Sequence, residues 1–218
     1  MIQVYHGDGK GKTTAAIGLA VRFSGAGKKV LFCQFMKGNI SSEIGVLQKL
    51  ENLEVELIGK KFGFYKDMTE QDKEEITKCH NHILEKVLGV LLNAKSAGQE
   101  PAYQEPAIQE SADQEPAIQE VADQEPETQE LQDQCQDGPT LLVVLDELAS
   151  AYRYGLLDRN MVSKIILAAS ENRQIIELVI TGRDPDSFFL EHADYITEMK
   201  IQRHPYEKGI LARKGIEW

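Results

Sequence analysis

An α/β architecture is expected from this sequence: a mostly parallel sheet flanked by helices. Three observations carry it. Apolar strand-like runs alternate with stretches of helical period along the chain. A glycine- and lysine-rich stretch, Gly7-Asp8-Gly9-Lys10-Gly11-Lys12-Thr13-Thr14, joins the first run to the first helical stretch. A later apolar run, 141–145, ends in the acidic pair Asp146-Glu147. Such alternation argues for strands covered on both faces by helices, with ligands at the C-terminal strand ends.

The first strand is expected over 2–5, on Ile2, Val4 and Tyr5, and the loop follows it directly. Closely spaced glycines let successive N–H groups turn toward one anion; the start of the next helix adds partial positive charge and Lys12 a full one. Thr13 offers a hydroxyl to Mg²⁺. The usual loop pattern places a glycine five positions before Gly11, where His6 stands, and the available glycine is Gly7. An ordinary kinase cradle is therefore not expected. Lys12 reads as an exposed loop lysine, contributing charge to a ligand and little to the core. The plain alternative is a turn that only caps a helix.

Further strands are expected over 30–35, 55–58, 141–145, 176–181 and 195–199, and helices over 12–23, 43–51, 69–94, 161–172 and 185–191. Asp146 and Glu147 at the end of a buried strand read as a Walker B element, delivering carboxylate to the Mg²⁺ that faces Thr13; on their own they would read as a helix start with Asp as N-cap. Glu147 also remains open as a base. In Thr181-Gly182-Arg183-Asp184-Pro185, Arg183 is a phosphate ligand or part of a polar turn. Phe62 and Phe64 flank a glycine as an aromatic loop over a ligand or as core plugs. His80 and His82, two apart in a helical stretch, diverge and make no metal pair, and His6 and His204 read as structural.

The chain has 218 residues and a net charge of −11, but residues 99–138 contain twelve acidic and no basic residues, so removing that −12 leaves the remainder at +1. The acidity belongs to one segment of pentads (QEPAY, QEPAI, QESAD and their variants), with too much proline for a helix and too few apolar side chains for a core. It reads as a disordered insertion into a single domain spanning 1–218, either a tolerated spacer or an acidic docking arm. Because it enters just before 141–145, it should sit at the N-terminal end of that strand, opposite the phosphate site. Cys33, Cys79 and Cys135 are odd in number and lack metal-like spacing, which points to a reducing compartment. No apolar run approaches the roughly 18 residues of a membrane span, and the N-terminus enters the fold without a signal peptide, so a soluble cytoplasmic protein with no nucleic-acid or membrane partner is expected.

GDGKGKTTAAIGLAVR, QFMKG, VVLDELASAYRYGLLD, VITGRDP, ADYITEM and the tail RHPYEKGILARKGIEW together resemble the ATP:corrinoid adenosyltransferases, in the class with a RecA-like P-loop fold. The likeness spans nearly the whole chain outside 99–138. The loop and acidic pair are common to many NTPases; their combination with TGRDP and the HPYEKG…KGIE tail is far more specific.

The resemblance implies attack by a cobalt(I) corrinoid on the 5′ carbon of ATP, forming a cobalt–carbon bond and expelling triphosphate, within adenosylcobalamin biosynthesis or salvage. By position, it implies that Lys12 neutralises the triphosphate, that Thr13 and Glu147 serve Mg²⁺ with Asp146, and that Asp8, Thr14 and Arg22 assist nucleotide binding beside Gly7, Gly9, Lys10, Gly11 and Arg183. Catalysis should then be mainly positioning and charge stabilisation. It places Phe62 and Phe64 beneath the corrin, Phe64 where a tryptophan often stands, to displace the lower axial ligand and ease reduction. It further implies an electron donor such as a reduced flavoprotein, and a homodimer. Some members cover the partner's active site with an N-terminal arm; this chain begins at the strand, so closure is expected from elsewhere. A P-loop small-molecule kinase, or a non-catalytic ATP-binding module with an acidic docking arm, are the alternatives.

Overall fold

The computed structural model describes residues 1–38, 42–97 and 138–216. Its strands β1 (Ile2–His6), β2 (Lys29–Gln34), β3 (Leu53–Leu57), β4 (Leu141–Asp146), β5 (Ile176–Thr181) and β6 (Tyr195–Glu198) form one sheet in the order β3-β2-β4-β5-β1-β6, each neighbouring pair parallel. The strand that carries the loop is thus separated from β4 by β5. Helices α1 (Lys12–Gly25), α2 (Ile44–Leu47), α3 (Glu70–Ala97), α4 (Leu148–Arg153), α5 (Arg159–Glu171) and α6 (Ser187–His192) cover the sheet.

Parallel pairing explains the unbroken apolar character of the central strands: every residue of β4 and β5 is buried. Side chains still alternate between the two faces. Val30 and Phe32, Leu142 and Val144, and Val179 pack with Ala16 and Ala20 of α1 and with α2. Leu31 and Cys33, Val143 and Leu145, and Leu178 and Ile180 pack on the other side, against Ile76, Leu84 and Val87 of α3 and Val162, Ile165 and Ile166 of α5. One more step of the period carries Gln34, Asp146 and Thr181 onto the α1 side, at the C-terminal strand ends. All three are fully buried.

The buried residues of α1 are Lys12, Ala16, Ala20 and Ser24, a stripe at four-residue spacing. Small residues on that stripe let the helix lie close to the sheet, and Lys12 is its first member.

Element boundaries differ from expectation where caps decide them. Helix α5 begins at Arg159, two residues early, because Asp158 accepts hydrogen bonds from Asn160 N at 2.7 Å and Met161 N at 3.2 Å. The stretch 43–51 is helical only over Ile44–Leu47. Helix α4 was not among the expected helices, although a helix start at the acidic pair was the alternative reading; its N-cap is Glu147 at a left-handed φ of 62°, not Asp146.

The chain rejoins the sheet at the end of β4 remote from Asp146, where Lys28 Nζ donates to Gly138 O at 3.3 Å. The acidic segment up to residue 137, with Cys135 in it, lies outside the described residues. Cys33 and Cys79 are free thiols, and burial pushes that of Cys33 far above the usual range. No helix among the described residues is long and apolar enough to cross a membrane.

Candidate active site

The glycine-rich loop leaves the C-terminal end of β1 and forms one wall of a cleft of about 790 Å³. Asp8, Gly9, Lys10, Gly11, Lys12, Thr13 and Thr14 line that wall; Lys37, Glu147 and Arg183 come from other strand ends, Glu43 from the start of α2, and His204, Gly215 and Ile216 from the C-terminal tail.

The loop takes its shape from the segment that leaves β6. Met199 N donates to His6 O at 2.8 Å, Gly9 N donates to Met199 O at 2.6 Å, and Ile201 N donates to the Asp8 carboxylate at 3.1 Å. A Cβ on Gly7 or Gly9 would fall 2.4 or 2.6 Å from Met199 O, so neither position accepts another residue without moving that backbone.

Lys12 is not the exposed lysine expected from the loop. Only 8% of it is accessible, and its ammonium donates to Gly7 O at 2.7 Å and Gly9 O at 2.8 Å. The cause is its place on the sheet-facing stripe of α1. Burial draws its pKa below the usual lysine value, against the opposing pull of Glu147.

At the base of the cleft the Asp146 carboxylate collects four donors. Thr13 Oγ1 and Thr181 Oγ1 donate to Oδ1 at 2.8 and 2.7 Å; Gln34 Nε2 and Lys37 Nζ donate to Oδ2 at 3.0 and 3.3 Å. A carboxylate offers about four lone-pair sites, and all are in use. Thr181 also accepts from Glu147 N at 2.9 Å, so one threonine on β5 ties both acidic residues together. The Glu147 carboxylate lines the cleft and accepts from Ser150 Oγ at 2.6 Å, and that hydroxyl accepts from Arg183 N at 3.2 Å. Residues of the loop, Glu147 and Arg183 therefore line one cleft, with Asp146 buried beneath it.

Arg22 does not join them. Helix α1 starts at the C-terminal strand ends and runs back along the sheet, so Arg22 stands roughly 15 Å along the helix from Lys12 at 1.5 Å per residue. It lines a second cleft, with Gln3, Tyr5 and Glu177. Phe62 and Phe64 also lie outside the loop cleft. Phe62 packs against the core with Lys60 Nζ 5.1 Å from its ring centre, whereas Phe64 is 76% exposed.

Sequence reasoning passed over Gln34, Lys37 and the Thr181 hydroxyl, although each ends or follows a strand on the same side as Asp146. It also set His204 aside as structural; His204 lines the cleft, its Nδ1 accepting from Tyr206 N at 3.2 Å.

A sequence model of the family described as "ATP:corrinoid adenosyltransferase BtuR/CobO/CobP" matches residues 1–97 and 101–218. The chain is 27% identical to a corrinoid adenosyltransferase of Pseudomonas aeruginosa over 220 residues, covering 100% of this chain and 83% of that protein. It is 28% identical to a corrinoid adenosyltransferase of Escherichia coli K12 over 218 residues, covering 100% of this chain and 85% of that protein. Among solved structures, ATPases 2 and 3 of EssC from Geobacillus thermodenitrificans match with a TM-score of 0.46 at 13% identity, over 98% of this chain and 34% of that one.

Proposed function

Because the chain belongs to the ATP:corrinoid adenosyltransferases, we propose that its cleft holds ATP by the triphosphate and presents the 5′ carbon to the cobalt(I) of a corrinoid. The enzyme is a transferase: cobalt contributes the electron pair of the new cobalt–carbon bond, the bond from the 5′ carbon to oxygen breaks, and that pair leaves on an intact triphosphate. No proton-transfer base is needed. The work falls to groups that position the substrate and stabilise the leaving charge.

In this reading Gly7, Gly9 and Gly11 give the loop its shape, with Asp8 holding the tail against it. Lys10, Lys12, Thr14 and Arg183 surround the triphosphate. Lys12 must turn from the Gly7 and Gly9 carbonyls to the phosphates. Thr13, Asp146 and Glu147 form a hard oxygen set suited to Mg²⁺, which would keep several waters and draw further ligands from substrate phosphates. When bound, that ion would add positive charge beside the leaving group. Phe64, exposed on its loop, suits contact with the corrin face, and Phe62 anchors that loop to the core. Arg22 could reach nucleotide only beyond this cleft. Family membership also supports an electron donor such as a reduced flavoprotein, a homodimer, and the reading of 99–138 as an insertion into one domain.

The observation that carries this reading is the contribution of the tail. His204, Gly215 and Ile216 line the cleft together with the loop, and a phosphate loop acting as a kinase would not require the HPYEKG…KGIE segment. With Mg²⁺, ATP and a cobalt(I) corrinoid under anaerobic conditions, the protein should form a light-sensitive adenosylated corrinoid and triphosphate in equal amounts. ADP as the main product, formed regardless of corrinoid, would overturn it.

A further inference from the structure

Beyond β2 the chain makes a strained turn. Met36 has a φ of 62° and Lys37 N donates to Phe35 O at 2.7 Å, a γ-turn with a left-handed central residue, a geometry rare for any residue but glycine. Strain of this kind persists only where the surroundings over-determine it, and an observed outlier is grounds for asking what it serves.

Three contacts hold the turn. Phe35 N donates to Asp146 O at 2.8 Å. Met36 N donates to Nε2 of His80, a fully buried residue of α3 whose Nδ1 lies 2.7 Å from Leu156 O. A carbonyl can only accept, so Nδ1 carries the proton, Nε2 is the acceptor, and the ring is neutral; burial, which pulls its pKa down to about 4, keeps it so. Gly38 passes so close to the neighbouring backbone that a Cβ there would fall 1.7 Å from Lys60 O.

The product of this arrangement is the position of one ammonium group. Lys37 Nζ lies 3.3 Å from Asp146 Oδ2 and 3.4 Å from Thr13 Oγ1, between the two residues read above as facing Mg²⁺, while its side chain remains 39% exposed to the cleft. A buried carboxylate needs a compensating positive charge. A divalent cation beside Thr13 and Asp146 would supply that charge and repel the ammonium, which its flexible stem would carry toward the phosphates. We propose that Lys37 is a further triphosphate-binding cation of this cleft, beside Lys10, Lys12 and Arg183, resting on Asp146 and Thr13 before substrate enters and turning onto the leaving triphosphate when the Mg²⁺ complex of ATP is bound. This rests on reading the cleft as the ATP site. His80 is then a positioning residue, acting through the Met36 turn.

The test is calorimetric titration of the full chain with inorganic triphosphate and Mg²⁺, without corrinoid. Lys37→Met should weaken binding about tenfold, as expected for loss of one charge-assisted contact, and Lys37→Arg should stay within about threefold of the parent. In turnover, Lys37→Met should lower kcat/KM for ATP and leave the KM for corrinoid unchanged. Parent-like triphosphate affinity in Lys37→Met overturns the proposal, and so does an equal loss in Lys37→Arg, which would mark a packing role. Triphosphate binds whether or not a corrinoid is adenosylated, so failure of the transferase reading and failure of the Lys37 assignment give different results.

Discussion

Thr13 and Asp146 stand 133 positions apart in sequence and are joined by a 2.8 Å hydrogen bond from the threonine hydroxyl to the carboxylate. That bond links the first turn of α1 to the end of β4, so loop and acidic pair are one unit before any ligand arrives. Asp146→Asn keeps the shape but sets an amide NH₂ among groups that already donate to the carboxylate. Stability should fall by about 1–3 kcal/mol, as for a buried polar group left unsatisfied, and adenosylation on the order of a hundredfold, as for loss of a charge-stabilising contact. Urea unfolding and steady-state assays of the variant check both figures.

The two phenylalanines should separate by what each touches. Phe64→Ala removes a largely exposed ring and should change stability by no more than about 0.5 kcal/mol. Phe62→Ala removes a ring packed on the core and should cost about 1–3 kcal/mol, less than a fully buried phenylalanine. If Phe64 acts on the corrin's axial ligand, its loss should impair adenosylation starting from cobalt(II) far more than from chemically prepared cobalt(I). Equal impairment from both oxidation states would reject that role.

His80 makes stability depend on pH in a defined window. An unfolded histidine titrates near about 6.5, and the folded one at about 4. Between these values the unfolded chain binds a proton that the folded chain does not, so stability rises with pH there. The contribution is fully present above the unfolded value and is lost as pH falls toward 4, at most about 3 kcal/mol in all. Urea titrations across the window should show this slope, and His80→Gln should flatten it.

Deleting residues 99–137, with a short Gly/Ser link from Gly98 to Gly138, should leave the melting temperature within about 5 °C of the parent and adenosylation intact. Loop closure changes by only about 0.6 kcal/mol for each doubling of length, and Gly138 lies at the strand end remote from Asp146. A larger fall in melting temperature would mean that the segment packs on the fold. Unchanged stability with loss of a partner from cell extract would identify a docking arm.

Patterns within a few residues of one another were readable in advance. Gly7 to Thr14 gave the loop, the period-two alternation of β2, β4 and β5 gave the buried sheet, and Asp146 at the end of an apolar run gave the carboxylate facing Thr13. Each follows from local sterics or burial, which a short window of chain already encodes. The family-specific tail was legible as a motif, although its role as cleft wall was not.

Relations between distant segments had to await packing. Nothing near Gly9 announces that Met199 O will occupy its N–H, nothing near Lys12 that its ammonium will turn back onto Gly7 and Gly9, and nothing near Met36 that a buried histidine of α3 will accept its N–H. Arg22 shows the same limit from the other side: its spacing from Lys12 is plain in the chain, but the direction of α1 along the sheet is what carries it to the far end. Periodicity records which face of an element is apolar, because burial acts on each residue separately. It does not record which partner meets that face, because a contact is a property of two segments and of the path by which the chain brings them together.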